Sequence, residues 1–309
     1  MIPIADDSAR TSEDAARRFA GLDTWRTGEV LEALWASQSR AVAACLPALP
    51  AILRAADGAI ERLAAPARGR LVYAGAGSAG MLAALDAVEL GPTFGWPAAR
   101  LAIFVAGGFD LPRGPDPAAE DDAAGGSARV RETELGASDV VLGVSASGSS
   151  PYTVAVVGEA RARGALTIAI TGCAGSPLVH AADHAVIADT GAEVIAGGTR
   201  LGAGTAQKVI LNLFSTAVMI GLGRVFDNLM IEMQPANAKL RQRQAGIVAA
   251  IAGVDAAIAA DALARHGDAK RAVLGLMGVA DNDIDALLAS AGGNLRAALG
   301  RVRAGRSAP

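Results

Sequence analysis

Between Arg70 and Thr205 the chain alternates short apolar runs with helical patterns, and each apolar run breaks into a turn of small residues. Residues 70–74, 101–106, 139–144, 166–171 and 184–187 read as strands. Helical spacing follows in 78–90, 127–135, 152–163, a short piece opening at Gly175-Ser176-Pro177-Leu178, and 205–221. Repeated strand-then-helix order demands parallel pairing, because a parallel strand is reached only by a crossover. Such a sheet is covered on both faces and binds ligands beyond the carboxyl ends of its strands. The expected fold class is therefore α/β, with a parallel sheet flanked by helices and function in the turns that follow the strands.

The flanks differ from this middle. Residues 1–28 are a polar, mixed arm. From Gly28 to Leu63 the residues Val30, Leu31, Leu34, Trp35 and Val42 recur at helical spacing, with Pro47 and Pro50 interrupting and Pro66-Ala67-Arg68-Gly69 ending the segment. After Leu240 come short helical patterns at 242–252, 254–265, 269–277, 281–291 and 295–302, punctuated by Gly253, Gly278 and Gly292-Gly293. A small C-terminal helical bundle is expected, with a frayed tail from Gly305. The domains expected are 1–69, 70–240 and 241–304.

Composition narrows the class. Apolar residues make up 52%, ample for a large core. With 37 glycines and only 4% aromatics, closely packed helices on a sheet fit better than an all-β fold. A net charge of −3 with no basic block speaks against nucleic acid as a partner. Cys45 and Cys173 form no C-x-x-C, and residues 1–10 lack a basic stretch leading into an apolar one. A reducing, cytoplasmic location is expected. The run 209–223 contains Asn212, Ser215 and Thr216 and is too short to span a membrane, so a buried helix is expected.

Two turns carry the functional signal. Leu71 to Gly80 reads strand, then Gly75-Ala76-Gly77-Ser78-Ala79-Gly80, then helix, literally the G-x-G-x-x-G of dinucleotide sites. That reading requires an acid at the end of the next strand to hold a ribose. No Asp or Glu lies between Leu90 and Phe109, so a nucleotide oxidoreductase is not expected. The third strand instead runs into Ser145-Ala146-Ser147-Gly148-Ser149-Ser150. Four hydroxyls around a glycine, ahead of a helix, exceed what capping needs and suit phosphate.

With the third turn at Gly202-Ala203-Gly204-Thr205-Ala206-Gln207-Lys208, these stretches resemble the sugar isomerase (SIS) fold. Within it they are similar to the N-acetylmuramic acid 6-phosphate etherase family. Further matching stretches are Leu85-Asp86-Ala87-Val88-Glu89, Ala119-Glu120-Asp121, Gly191-Ala192-Glu193-Val194 and Asn228-Leu229-Met230, in the family's order over residues 70–250. The resemblance implies a homodimeric, metal-free and cofactor-free lyase of peptidoglycan recycling. It would cleave a lactyl ether to give N-acetylglucosamine 6-phosphate and D-lactate. The resemblance assigns the catalytic acid to Glu89 and a second catalytic carboxylate to Glu120. Gly77, Ser78, Ser145, Ser147, Gly148, Ser149, Ser150 and Arg200 are the candidate substrate contacts. Met81 and Ser149 stand where the family usually has arginine, Gly202 where it has lysine, and the arm keeps Ser12-Glu13 but lacks an asparagine. Alternatives are a sugar-phosphate-sensing binding protein, or a lyase or isomerase for another phosphosugar.

Among the remaining residues, Asp86 and Glu89 at i, i+3 are expected on one helix face. His180 and His184 flank a helix end with no third ligand, so no metal is expected. Cys173 reads as a buried thiol. Lys208 is a candidate cation beside Arg200.

Overall fold

In the computed structural model, which describes residues 11–64, 69–108, 114 and 116–306, five strands form one wholly parallel sheet. They are β1 Leu71–Gly75, β2 Leu101–Val105, β3 Val140–Val144, β4 Leu166–Thr171 and β5 His184–Ile187, in the order β2-β1-β3-β4-β5. Gly75 pairs with Val105 on one side and Val144 on the other, so the three strands end level. The order reverses between β1 and β3, and the turns after the strands gather at one edge. The chain divides into two units. The first comprises residues 1–87 and 99–215, the second 88–98 and 216–309.

The first unit holds the sheet. Helix α1 is Thr27–Ala43 and α2 Leu49–Ala64, separated by a 3₁₀ turn at Leu46–Ala48, where the prolines were expected to interrupt. In α2, Ile52, Ala55, Ala56, Ala59 and Leu63 recur at helical spacing, are buried, and face β3 to β5. Helices α3 Gly77–Phe94 and α7 Gly202–Gly221 contribute residues to both units; α4 Ala123–Glu132, α5 Pro151–Ala162 and α6 Pro177–Ala181 lie within the first. On one sheet face Val72, Ala74, Phe104 and Val141 pack with Val130 of α4 and Val156 of α5. At the other end of the strands Asp139 accepts from Arg70 Nε at 3.0 Å and Nη2 at 2.9 Å, and from the Arg70 and Gly136 N–H groups at 2.9 and 2.8 Å. Burial works to raise its pKa, but these bonds outweigh it and hold the carboxyl below the usual range.

The second unit has its own core, with Ile231, Met233, Val248, Val273, Leu274 and Leu299 among its buried residues. Its helices are α8 Ala238–Ala252, α9 Ala256–His266, α10 Ala269–Leu276, α11 Asp281–Ser290 and α12 Leu295–Arg306. Glu232 pairs with Arg224 at 2.5 Å and with Lys270, while Arg224 also donates to the Phe94 and Gly95 carbonyls at 2.9 Å.

Several bounds depart from the sequence reading. Helix α4 starts at Ala123, not 127, because Asp122 caps it by accepting from the Gly125 N–H at 2.8 Å. The long loop holds a 3₁₀ turn, Pro117–Asp121, capped by Asp116. Helix α7 starts at Gly202, ahead of the apolar run. By length and composition, α7 and the stretch Thr27–Ala64 are each apolar enough to cross a membrane, so the expectation of too short a run fails. In α7, however, Ile210, Leu211 and Phe214 are buried. Helix α12 continues to Arg306, past the expected fraying point. Residues 1–10 of the expected arm, Pro66 to Arg68 of the expected break, residues 109–113 and 115 of the long loop, and the tail beyond 306 lie outside the described residues.

Candidate active site

Over the carboxyl ends of β3, β4 and β5 lies a cavity of about 390 Å³. Ser147 and Ser149 line it from the turn after β3, Cys173 from the turn after β4, Asp189 and Thr190 from that after β5, and Glu13 from the N-terminal arm. Its position follows from the parallel sheet, since every strand delivers its following turn to the same edge.

Two of the four serines hold the turn and two face the cavity. Ser145 is buried and its Oγ accepts from the Gly148 N–H at 3.1 Å. Ser150 is buried and its Oγ accepts from Thr153 Oγ1 at 3.1 Å. Ser147 Oγ accepts from the Ser149 N–H at 3.3 Å, and the two hydroxyls lie 2.8 Å apart. Gly148 has φ +70°, and a Cβ there would sit 2.1 Å from Ser176 Oγ, so only glycine fits. Helix α5 begins directly after the turn, with its first N–H groups and positive dipole end beside the hydroxyls. The arrangement offers hydroxyl and N–H donors to an oxyanion; among the described residues the lining contains carboxylates but no lysine or arginine.

The first glycine turn has a packing role. A Cβ on Gly75 would lie 2.8 Å from the Gly80 Cα, and one on Gly80 2.7 Å from the Gly75 carbonyl oxygen. The glycines let α3 close onto the end of β1. Gly77 and Ser78 start this helix and are not among the residues lining the cavity. Arg200 is exposed and also outside the lining.

Both proposed catalytic carboxylates are exposed, Glu89 on α3 and Glu120 on the 3₁₀ turn. Asp86 does not share the exposure of Glu89. It is buried, accepts from the Tyr73 hydroxyl at 2.9 Å, and lies 3.6 Å from Lys208 Nζ. Burial first, and then the Asp86 charge, push the Tyr73 hydroxyl well above its ordinary pKa. Lys208 also donates to Asn212 Oδ1 at 2.8 Å, so it serves α3 and α7 contacts. Cys173, expected to be buried, is partly exposed and lines the cavity, because β4 ends at Thr171 and leaves it in the turn.

Two features escaped sequence reasoning. Glu193 is buried and its two carboxylate oxygens accept from the Gly202 and Ala203 N–H groups at 2.9 and 2.8 Å, which starts α7. An acid shortly before a glycine-rich helix start was the available signal. The arm residues Thr11 to Glu13 also line the cavity, for which no local signal exists.

A parallel sheet with a hydroxyl-rich turn at its carboxyl edge is the architecture of a sugar isomerase domain. The SIS domain profiles match residues 48–172 and 128–222. A solved structure from Bacteroides fragilis NCTC 9343, of a protein involved in capsule formation and assigned as a phosphosugar isomerase, superposes with a TM-score of 0.50 at 21% identity, covering 66% of this chain and 95% of that one. The N-acetylmuramic acid 6-phosphate etherase of Rubrobacter xylanophilus is 43% identical over 95% of this chain and 96% of its own length. That of Deinococcus radiodurans is 41% identical over 96% and 97%. The chain belongs to the N-acetylmuramic acid 6-phosphate etherase family.

Proposed function

We propose that this chain cleaves the D-lactyl ether of N-acetylmuramic acid 6-phosphate, giving N-acetylglucosamine 6-phosphate and D-lactate in peptidoglycan recycling. The observation that carries the reading is near full-length similarity, above 40% identity, to relatives of that name. The serine turn supports it, since hydroxyls and helix N–H groups suit a phosphate.

The chemistry requires an open-chain aldehyde. A base removes the acidic proton at C2, the C3–oxygen bond breaks, and an acid protonates the departing lactate oxygen. Water then adds at C3 of the unsaturated aldehyde and a proton returns to C2. In this reading Glu89 is the acid for the leaving lactate, and Glu120 takes the C2 proton and later activates water. Ser147 and Ser149 meet the phosphate, Ser145, Gly148 and Ser150 shape their turn, and Gly77, Ser78 and Arg200 complete the sugar pocket. No cofactor or metal enters these steps.

The enzyme is a cytoplasmic homodimer in this proposal, with neither nucleic acid nor membrane as partner. Two free cysteines fit a reducing compartment. Exposed Leu31 and Trp35 of α1, Leu46 of the 3₁₀ turn and Leu53 of α2 fit a subunit contact. The direct test supplies N-acetylmuramic acid 6-phosphate and follows D-lactate. Catalytic release is expected, and saturable binding without release would turn the reading into that of a sensor.

A further inference from the structure

We propose that residues Thr11 to Glu13 of the N-terminal arm are a wall of the substrate cavity and that Glu13 binds the sugar's hydroxyl and acetamido N–H groups; this rests on the phosphosugar reading above. The Gly197 N–H donates to the Ser12 carbonyl at 2.9 Å, and Arg18 Nη2 donates to the Ala192 carbonyl at 3.4 Å. Both bonds tie the arm to the loop that follows β5. The Thr11 N–H donates to Asp14 Oδ2 at 3.0 Å and closes a turn around Glu13. Glu13 Oε2 lies 3.1 Å from where a Cβ on Gly197 would be, and Gly197 has φ +72°. A side chain at 197 is thus disfavoured twice, and the carboxylate rests against bare backbone.

Chemistry selects what Glu13 can meet. It lines the same cavity as Ser147 and Ser149. Among the described residues neither Glu13 nor Asp189, the other carboxylate of the lining, forms an ion pair. An ionised carboxylate only accepts hydrogen bonds. The substrate carries two anions, its phosphate and its lactyl carboxylate, and both are repelled from this wall. Its hydroxyls and acetamido N–H are donors and are attracted. Hydroxyl-and-amide donors on the serine turn and acceptors on the arm therefore orient the sugar, with phosphate toward Ser147 and Ser149. Hydrogen bonds to a charged acceptor are about twice as strong as neutral ones, so their loss falls on binding.

The test uses the full chain with Glu13→Ala and Glu13→Gln. D-lactate release yields KM and kcat. Maleimide labelling of Cys173, which lines the cavity while Cys45 is buried, gives a second readout through protection by N-acetylglucosamine 6-phosphate. Glu13→Ala should raise KM at least tenfold, lower kcat far less, and weaken protection by a similar factor at an unchanged melting temperature. Glu13→Gln, which keeps one acceptor oxygen, should fall between. Unchanged KM and protection overturn the proposal, and so does a lower melting temperature with protection intact. If the unaltered chain is protected but releases no lactate, the etherase reading falls and Glu13 is judged on protection alone. If the sugar phosphate does not protect Cys173 in the unaltered chain, the arm proposal falls.

Discussion

Single residues divide into those that hold the serine turn and those proposed to do chemistry. Gly148→Ala places a side chain at φ +70° and against Ser176 Oγ. It should cost about 2 kcal/mol in thermal unfolding and raise KM, since the turn itself must move. Ser176 Oγ has no hydrogen-bond partner among the described residues, so Ser176→Ala alone should be close to neutral; it should not rescue the alanine at 148, because the Ser176 Cβ, 2.5 Å from the added methyl, stays. For the proposed proton carriers, Glu89→Gln and Glu120→Gln should each lower kcat by about 10²–10⁴-fold, the usual contribution of a positioned acid or base. Circular dichroism should be unchanged, because both side chains are exposed and hold no part of the core. Lactate release at the original rate would remove either assignment. Sequence separated these groups poorly. Spacing put Asp86 beside Glu89, yet at 60° around a helix one side chain enters the core to meet Tyr73 while the other stays in water.

The elements are coupled by a few buried charges. Asp139 joins the start of β3 to Arg70 before β1, and its carboxyl is held below its ordinary pKa. A lowered folded pKa means stability that is present above the unfolded value, about 3.9, and lost as pH falls through the folded value. Asp139→Asn should therefore unfold more easily at neutral pH, by about 3 kcal/mol, because it breaks a largely buried pair. The gap to the unaltered chain should close in acid, where Asp139 is protonated too. Urea unfolding at pH 7 and below pH 3 checks this, and a gap independent of pH would refute the account. The strands themselves were legible, since apolar runs ending in small residues leave little choice of type. Helix starts were less so. Those of α4 and α7 are set by Asp122 and Glu193, whose carboxylates cap backbone N–H groups that hydrophobic spacing does not register.

For the whole molecule, the proposed homodimer makes a testable demand. Trp35 is 75% exposed on α1, one helical turn from Leu31, which is also exposed, as are Leu46 of the 3₁₀ turn and Leu53 of α2. Large apolar side chains left this exposed suit a face that another subunit covers. Trp35→Glu should shift the sedimentation mass from dimer to monomer at micromolar concentration, without loss of helical signal. A chain that sediments as a monomer before the substitution would end the dimer reading. Subunit contact would also explain why α1 and α2 keep Leu31, Trp35, Val42, Leu49 and Leu53 exposed.

The order of strands and helices, the parallel sheet and the serine turn were written locally, in alternation and in small residues at strand ends. These are short-range matters of sterics and hydrophobic period, and they could be read along the chain. In the first glycine turn, Gly75 and Gly80 also serve a close contact between β1 and α3 that only the folded chain reveals. The cavity brings together Glu13, Ser147, Cys173 and Asp189, residues far apart in sequence. No local pattern brings them together. Their meeting follows from strand order and from the hydrogen bonds that tie the arm to the loop after β5, which exist only once the sheet is assembled.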